Sequence, residues 1–298
     1  MIKGLAITPP AIGRISIGKV VEKNGKRLPE KDDQFTITTL IQTKEGWLLH
    51  PIDELLRETQ ENKKIRAIPI RLMFSDPALN FRVEYSKFDR ETGRPMCVGN
   101  GETCKRFTAE GIQSFQCPSP ESCDLAKNNQ CKPYGRLNVL IGGDDPAGSF
   151  IFRTTGFNSI RTLLARLHYF KALSGDKLAC LPLELRLRGK STTQSHRTLI
   201  YYVDLTLQSD MTITRALEEA QRIYQQRVDA GFDQAALDEA ARLGFANGAF
   251  EDGEEEVGSV VEEFFAEDTG KDPAPGEGSP PPSSELLEKL NQQGSVPR

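Results

Sequence analysis

The sequence lacks any apolar run long enough to cross a membrane, a span that takes about 20 consecutive apolar residues. Its first residues, MIKGLAITPPAIGR, are too short and too interrupted by proline to form the apolar part of a secretory signal. We therefore expect a cytoplasmic protein with no membrane partner. Because thiols stay reduced in that compartment, metal binding explains the cysteines better than disulfide bonds do.

Catalytic motifs are missing as well. The histidines are few and scattered, and neither an H-E-x-x-H motif nor a dinucleotide-binding fingerprint is present. The tripeptide Gly-Lys-Ser at 189–191 resembles the end of a phosphate-binding loop, but Glu184 stands where the first glycine of that loop belongs. We therefore expect a protein that is not an enzyme and has no small-molecule substrate.

Negative charge is concentrated near the end of the chain. The formal net charge is -4, but residues 251–277 hold eleven acidic residues and one basic residue. The positive and negative charges of the residues after 277 cancel, so the first 250 residues carry a net charge of about +6. A mildly basic body with an acidic tail is typical of proteins that associate with nucleic acid, although the same imbalance occurs in proteins without that role. Direct DNA binding is therefore one function to test.

The pattern of apolar residues predicts strands first and helices later. A short surface helix is expected at Pro51–Thr59, and a second should run from the N-cap Asn158 to about Leu173 with one apolar stripe. Two more helices are expected at 213–227 and 232–243. Strands are predicted at 12–21, 34–41, 65–74, 79–88, 137–141, 149–153, 181–188 and 198–207. This order predicts an α+β fold with a largely antiparallel sheet and one packed helix.

Composition divides the chain into five regions. They are a β-rich N-terminal region at 1–92, a cysteine-rich metal-binding insertion at 93–135, an α+β core region at 136–210, C-terminal helices at 211–247, and an acidic, proline-rich tail at 248–298. The tail has too few apolar residues to offset the entropy of ordering it, so we expect it to be disordered. Two short apolar islands interrupt it at 257–265 and 284–290. Such islands dock onto a partner or onto the protein's own basic surface.

Five of the six cysteines lie between Cys97 and Cys131, where turn-forming residues are common and apolar residues are few. A hydrophobic core cannot hold such a segment, so we expect a thiolate-bound metal to do so. A structural zinc ion takes four ligands. The predicted ligands are Cys97, Cys117, Cys123 and Cys131, with Cys104 in reserve for Cys97. Unligated thiols and an iron–sulfur cluster are the alternatives that the spacing leaves open.

Several stretches of the sequence resemble one known family. They are GRISIGKV, CVGNGETCKR, CPSPESC, CKPYGRLNVLI, FRTTGFNSIRTL, LPLELRLRGKSTT and HRTLIYYVDL. Together they are similar to the recombination directionality factors that partner phage large serine integrases. The resemblance covers about Gly13 to Leu207 and is most specific from Cys131 onward.

This resemblance implies a non-enzymatic accessory protein of a mobile genetic element, which binds a DNA-bound integrase and directs excision over integration. It also implies a zinc site at the four predicted cysteines, although a fifth cysteine at position 104 and the long acidic tail depart from the family pattern. Contact residues for the integrase or for nucleic acid are expected at Phe157, Asn158, Arg161, Arg186, Arg188, Lys190, His196 and Arg197.

Two other functions remain as alternatives. A recombination accessory protein that binds single- or double-stranded DNA would fit the basic body and the phenylalanines near Arg153, which are of the type that stacks on bases. A metal-dependent hydrolase, a label that some relatives carry, requires an open metal position and a general base. The sequence offers neither, so the hydrolase is the weaker alternative.

Overall fold

A computed structural model describes residues 10–23, 26–43, 46–142, 148–191, 199–244 and 264–265 of the 298-residue chain. The chain divides into a unit of Met1–Ala266 and a C-terminal stretch of Glu267–Arg298. That stretch lies outside the described residues, so the predicted disorder of the acidic tail stays a prediction. Within the described ranges, no helix is long and apolar enough to cross a membrane.

Nine of the twelve strands of the described residues form one large sheet. Its order is β3-β2-β1-β10-β9-β5-β6-β7-β8, and every neighbouring pair is antiparallel except β1 with β10. The other three form a small antiparallel sheet of order β12-β11-β4. The strands are β1 (Ala11–Lys23), β2 (Lys26–Thr43), β3 (Gly46–Leu49), β4 (Ala67–Ile70), β5 (Phe81–Phe88), β6 (Pro95–Gly99), β7 (Thr103–Thr108), β8 (Gly111–Gln116), β9 (Lys132–Val139), β10 (Ser149–Thr154), β11 (Leu183–Ser191) and β12 (Leu199–Leu207).

The two faces of the large sheet differ in composition, because successive strand residues point to opposite sides. In the centre, Leu137 of β9 pairs with Phe152 of β10, and both are buried in the main core. The next pair along these strands, Arg136 with Arg153, points to the opposite face. The sequence predicts strands at 137–141 and 149–153, and β9 and β10, which include these residues, form an antiparallel pair.

Helix α3 (Phe157–Ser174) packs between the two sheets and joins their cores. The apolar positions that the sequence predicts on its inner stripe, among them Ile160, Leu163 and Leu167, are buried. The Ser159 hydroxyl accepts a hydrogen bond from the backbone N–H of Val203 at 3.0 Å, which fixes the start of α3 to β12. These contacts confirm the α+β class and the packing of the helix that the sequence predicts here. It is not the only packed helix, since the helix Ile213–Asp229 also buries Ala216, Ala220 and Ile223 in the main core.

Helix α1 (Pro51–Thr59) has the predicted bounds. A proline in its first turn suits the helix start, since that backbone N–H has no partner within the helix. The carboxylate of Asp53, which is fully buried, accepts from the backbone N–H of Ile37 at 2.8 Å and from Arg57 Nε at 2.6 Å. The hydrogen bond from Ile37 to Asp53 therefore holds α1 against the central part of β2.

Helices α4 (Ile213–Asp229) and α5 (Gln234–Gly244) follow the small sheet, as the sequence predicts. Thr212 caps α4 by accepting from the backbone N–H of Arg215 at 3.3 Å. On α5, the Asp238 carboxylate accepts from the backbone N–H of Ser75 at 3.1 Å, and burial raises the pKa of Asp238 above its ordinary value. This contact joins α5 to the segment before β5.

Several details of the predicted elements are wrong. Strands β2 and β9 begin at Lys26 and Lys132, before the predicted starts at 34 and 137, and only Ala67–Ile70 of the strand predicted at 65–74 forms. Helix α3 begins at Phe157 with Gly156 as its N-cap, two residues before the Asn158 cap that the sequence suggests. The strand predicted at 79–88 begins only at Phe81, because Asp76 caps a short helix α2 (Pro77–Asn80) by accepting from the Ala78 N–H at 2.9 Å. Residues 93–135, to which the sequence analysis assigns no strand, contain β6, β7 and β8.

Candidate metal centre

The candidate site lies where β6, β7 and β8 end the large sheet. After β8 the chain returns to β9, which pairs with β5 on the far side of β6 and β7. Adjacent strands lie about 4.8 Å apart, so the connection 117–131 must travel about 19 Å across four strand spacings. Cys97 and Cys104 lie on β6 and β7, and the other three predicted cysteines lie on this returning connection.

All five cysteines of the segment line one small pocket between these strands and the connection. The backbone of β6 comes close to two of these cysteines at Gly99. A Cβ atom added there would lie 2.9 Å from Cys117 Sγ and 2.7 Å from Cys104 Cβ. Only glycine leaves room for sulfur at that distance. The topology therefore brings together the thiols that the sequence groups by spacing alone.

The pKa values of two of these thiols are raised, by burial first and then by the neighbouring thiols. Burial raises the pKa of Cys131 to about 12, and the neighbouring Cys97, Cys117 and Cys123 raise it further in that order. These are the other three predicted ligands. Burial also raises the pKa of Cys104 to about 11, with Cys97 as the next cause. The Cys104 thiol, however, donates to the backbone oxygen of Gln116 at 3.6 Å, so it already has a protein acceptor.

The backbone of the connection is held at several points. Short 3-10 turns, Pro120–Ser122 and Asp124–Asn129, flank Cys123. Ser119 has φ 67 and ψ 161, a conformation that non-glycine residues rarely adopt and that costs about 1–3 kcal/mol. The Cys117 N–H donates to Glu102 O at 2.8 Å. Surrounding contacts must stabilise this loop strongly enough to keep Ser119 strained.

A cation also borders the pocket. Burial alone would lower the pKa of Arg106, but the hydrogen bond to Cys97 and the charges of the neighbouring thiols together outweigh burial, and the pKa of Arg106 is raised. The Arg106 guanidinium also lies 4.8 Å from the ring centre of Phe115 on β8. A fixed positive charge beside thiols favours their thiolate form, which is the form that binds metal.

The donors fit zinc by their chemistry, since four thiols converge and a fifth lies beside them. None of the six cysteines forms a disulfide bond. Within the described residues, however, no group of three or more cysteine, histidine, aspartate or glutamate side chains is arranged to hold a metal ion. The zinc site therefore stays a prediction. The grouping of the thiols in one pocket supports a zinc site, but the described side chains are not arranged as a set of metal ligands.

The predicted contact residues on α3 form a patch at the start of the helix. Phe157 is 64% exposed, and Arg161 follows it by one turn, on the same side of the helix. Asn158 lies beside them and is half-buried. An exposed aromatic ring next to an arginine is the kind of pair that dominates binding energy at protein interfaces.

The predicted contact residues on β11 are partly engaged within the protein. Arg188 Nε donates to the Asp204 carboxylate at 3.4 Å, and Arg166 of α3 donates to the same carboxylate at 3.2 Å. Asp204 thereby holds this part of β11 beside α3. Arg186 binds Glu184 and donates to Ser209 Oγ at 2.7 Å, whereas Lys190 is exposed. The predicted contacts His196 and Arg197 lie outside the described residues.

Two residues of the pocket were not found from the sequence. Tyr85 of β5 and Arg106 of β7 both line it. Burial raises the pKa of Tyr85, and the next cause is Glu121 on the connection. The only sequence signal for either residue is alternation along strands, and without β6–β8 in the predicted fold that alternation could not be assigned to a face.

The fold and the pocket together define an α+β protein whose large, mostly antiparallel sheet ends in a cysteine-lined edge. The model of the Gp3-like, recombination directionality factor-like family matches residues 12–208, more than half of the 298-residue chain, and the chain belongs to that family. The match includes the cysteine pocket and α3, and it ends before α4. No curated protein and no solved structure matches the chain. The resemblance seen in the sequence is thus confirmed, and the chain has a recombination accessory role.

Proposed function

We propose that this protein binds a large serine integrase on its DNA and directs recombination towards excision. The observation that carries the proposal is the family match over residues 12–208, which spans both sheets, the cysteine pocket and the exposed start of α3. In this proposal the protein performs no chemistry of its own. It acts as a ligand of the integrase.

Such a switch requires different affinities for two integrase–DNA conformations, because a factor that bound both equally would shift nothing. Moving the balance from 1:99 to 99:1 takes about a 10⁴-fold preference. An interface with a few well-packed anchors can supply a preference of this size. We propose the α3 patch of Phe157, Asn158 and Arg161, with the neighbouring Arg188 and Lys190, as the contact surface.

We further propose a structural zinc ion held by Cys97, Cys117, Cys123 and Cys131, with Cys104 as the reserve ligand. The ion would cross-link β6 to the connection that returns to β9. Four thiolates leave no coordination position open, so the ion would stabilise the fold without taking part in a reaction. The convergence of these thiols on one pocket supports the assignment.

The proposed function is tested by recombination in vitro with the cognate integrase, on one DNA pair for integration and one pair for excision. The wild-type protein should promote excision and suppress integration. Phe157→Ala with Arg161→Ala should lose at least about tenfold of that preference, the loss expected on removing two interface anchors. Arg222→Ala is the matched control, because Arg222 is exposed, lies on α4 outside the family match, and binds Glu219.

Two outcomes would contradict the proposal. One is an excision-to-integration ratio that does not change when the wild-type protein is added. The other is a protein that binds DNA fragments by itself with a steep dependence on salt and does not bind integrase. The second outcome would favour the DNA-binding alternative, since counterion release makes phosphate binding salt-dependent.

A further inference from the structure

A second hydrophobic cluster lies apart from the main core, on the opposite face of the large sheet. It is built on Phe88 at the end of β5 and Tyr134 of β9, whose ring centres are 5.3 Å apart. Successive strand residues point to opposite faces, so Tyr134 lies on the face opposite Leu137, which is buried in the main core. We call the space beside the rings of Phe88 and Tyr134 the aromatic pocket.

Two consecutive residues from a distant part of the chain occupy the aromatic pocket. Phe264 is 1% exposed, and its ring packs edge-on against Phe88 and Tyr134, with ring centres 4.8 Å and 5.8 Å away. The half-buried Phe265 packs edge-on against Phe264, with the ring centres 5.0 Å apart. Aromatic rings attract one another in this arrangement, because the edge of one ring is positive and the face of the other is negative.

Two cations at the aromatic pocket contact the same pair of phenylalanines. Lys132 Nζ donates to the backbone oxygen of Phe264 at 3.2 Å and lies 5.4 Å from the centre of the Phe264 ring. The guanidinium of Arg90 lies 5.5 Å from the centre of the Phe265 ring. A cation at such a distance is attracted by the negative face of the ring. Ring packing, a backbone hydrogen bond and two ring–cation contacts therefore recognise one dipeptide.

The pocket and its occupants belong to different parts of the chain. All four residues that form the pocket lie inside the family match at 12–208. Phe264 and Phe265 lie well beyond the end of that match. The matched fold thus supplies a pocket, and two residues outside the matched fold fill it. This is the arrangement of a peptide-binding site that is occupied by a short segment of its own chain.

We propose that the aromatic pocket is a binding site for a peptide with two consecutive aromatic residues, and that Phe264 and Phe265 fill this site in the free protein. A partner protein with such a pair of residues enters the pocket only when Phe264 and Phe265 leave it. The two residues are thus an internal competitor for the site. If they occupy the pocket nine-tenths of the time, an external peptide binds about tenfold more weakly than it would bind the empty pocket.

Binding of the fluorescently labelled peptide acetyl-Gly-Phe-Phe-Gly to the full-length protein, followed by anisotropy, tests the proposal. Phe264→Ala with Phe265→Ala should bind this peptide at least about tenfold more tightly than wild type, because the internal competitor is gone. Adding Arg90→Ala to the double variant should weaken binding about two- to fivefold, since Arg90 is exposed and its ring–cation contact is lost. Adding Arg222→Ala instead is the matched control and should leave the affinity unchanged, because Arg222 is exposed on α4 and does not contact the pocket.

A second measurement keeps Phe264 and Phe265 in the chain. With 4-fluorophenylalanine at position 264, the fluorine signal should differ from that of a free peptide and should move towards it as unlabelled acetyl-Gly-Phe-Phe-Gly is added. The shift is expected near about 1 mM peptide, the effective concentration typical of a tethered competitor.

Three results would overturn the proposal. The first is a double alanine variant that binds the peptide no more tightly than wild type does. The second is equal binding of acetyl-Gly-Ala-Ala-Gly, which carries no ring. The third is a fluorine signal that stays unchanged at about 10 mM peptide, well above the effective concentration of the tethered pair. No integrase is present in these measurements, so failure here is separate from failure of the proposed function.

Discussion

Gly99→Ala is the substitution that tests the packing of the cysteine pocket most sharply. An ideal Cβ at Gly99 would lie 2.7 Å from Cys104 Cβ and 2.9 Å from both Cys117 Sγ and Thr103 O. These three atoms belong to the backbone or to short side chains, so none can rotate far out of the way. Either β7 or the connection that carries Cys117 must therefore move by several tenths of an ångström.

The expected cost follows from that displacement. An extra carbon in a well-packed region typically costs about 1–3 kcal/mol of unfolding free energy. Zinc–sulfur bonds have a narrow range near about 2.3 Å, so moving Cys117 Sγ, one of the four proposed ligands, should also weaken metal binding. Gly99→Ala is thus expected to lower both the free energy of unfolding and the bound metal per chain.

Urea unfolding followed by circular dichroism, with metal content measured on the same samples, checks this expectation. Gly189→Ala on β11 is the matched control, because the three atoms nearest to its Cβ would all belong to the exposed side chain of Leu199, at 3.1 and 3.3 Å. The control should change the unfolding free energy by no more than about 0.5 kcal/mol and should keep its metal. If Gly99→Ala unfolds and binds metal as wild type does, the described packing of the pocket is wrong.

Two further predictions concern stability away from the pocket. Asp53→Ala should lower the free energy of unfolding in urea by about 2–3 kcal/mol. The substitution leaves the buried Ile37 N–H without its acceptor and removes the carboxylate that binds Arg57. A loss below about 1 kcal/mol would contradict this role of Asp53. The hydrogen bond from Lys64 chiefly holds the pKa of Asp33 at about 2, below its ordinary value of 3.8. Ionised Asp33 therefore stabilises the fold above pH 3.8, and this contribution is lost as the pH falls towards 2. Asp33→Asn should flatten the dependence of the urea midpoint on pH in that window at low salt, and an unchanged slope would refute the assignment.

The elements that are predicted best from the sequence are those whose apolar residues pack into the core. Helix α1, the strand β10 and the buried stripe of α3 all follow from such patterns. Strands β7 and β8 do not, because one of their faces borders a thiol pocket and the other meets solvent. Phe107 of β7 and Ile112 of β8 are paired with each other and are 55% and 53% exposed. A pattern without a buried face carries little strand signal.

The candidate metal site, like the fold, could be predicted from the sequence only in part. Cysteine spacing and turn-forming neighbours group the thiols, because metal ligands in loops come close together in sequence. Tyr85 and Arg106 reach the pocket only through strand pairing, which local sequence does not encode. The sequence also could not predict that Arg82, Arg136 and Arg153 share one face of the large sheet, since this requires the order of β5, β9 and β10.

Elemental analysis of the full-length protein, purified without chelator, tests the zinc site most directly. The expected result is about one zinc ion per chain, lost in Cys117→Ser and retained in Cys180→Ser, whose thiol is buried and does not line the pocket. Wild-type protein with no bound metal, or zinc that persists in Cys117→Ser, would contradict the account.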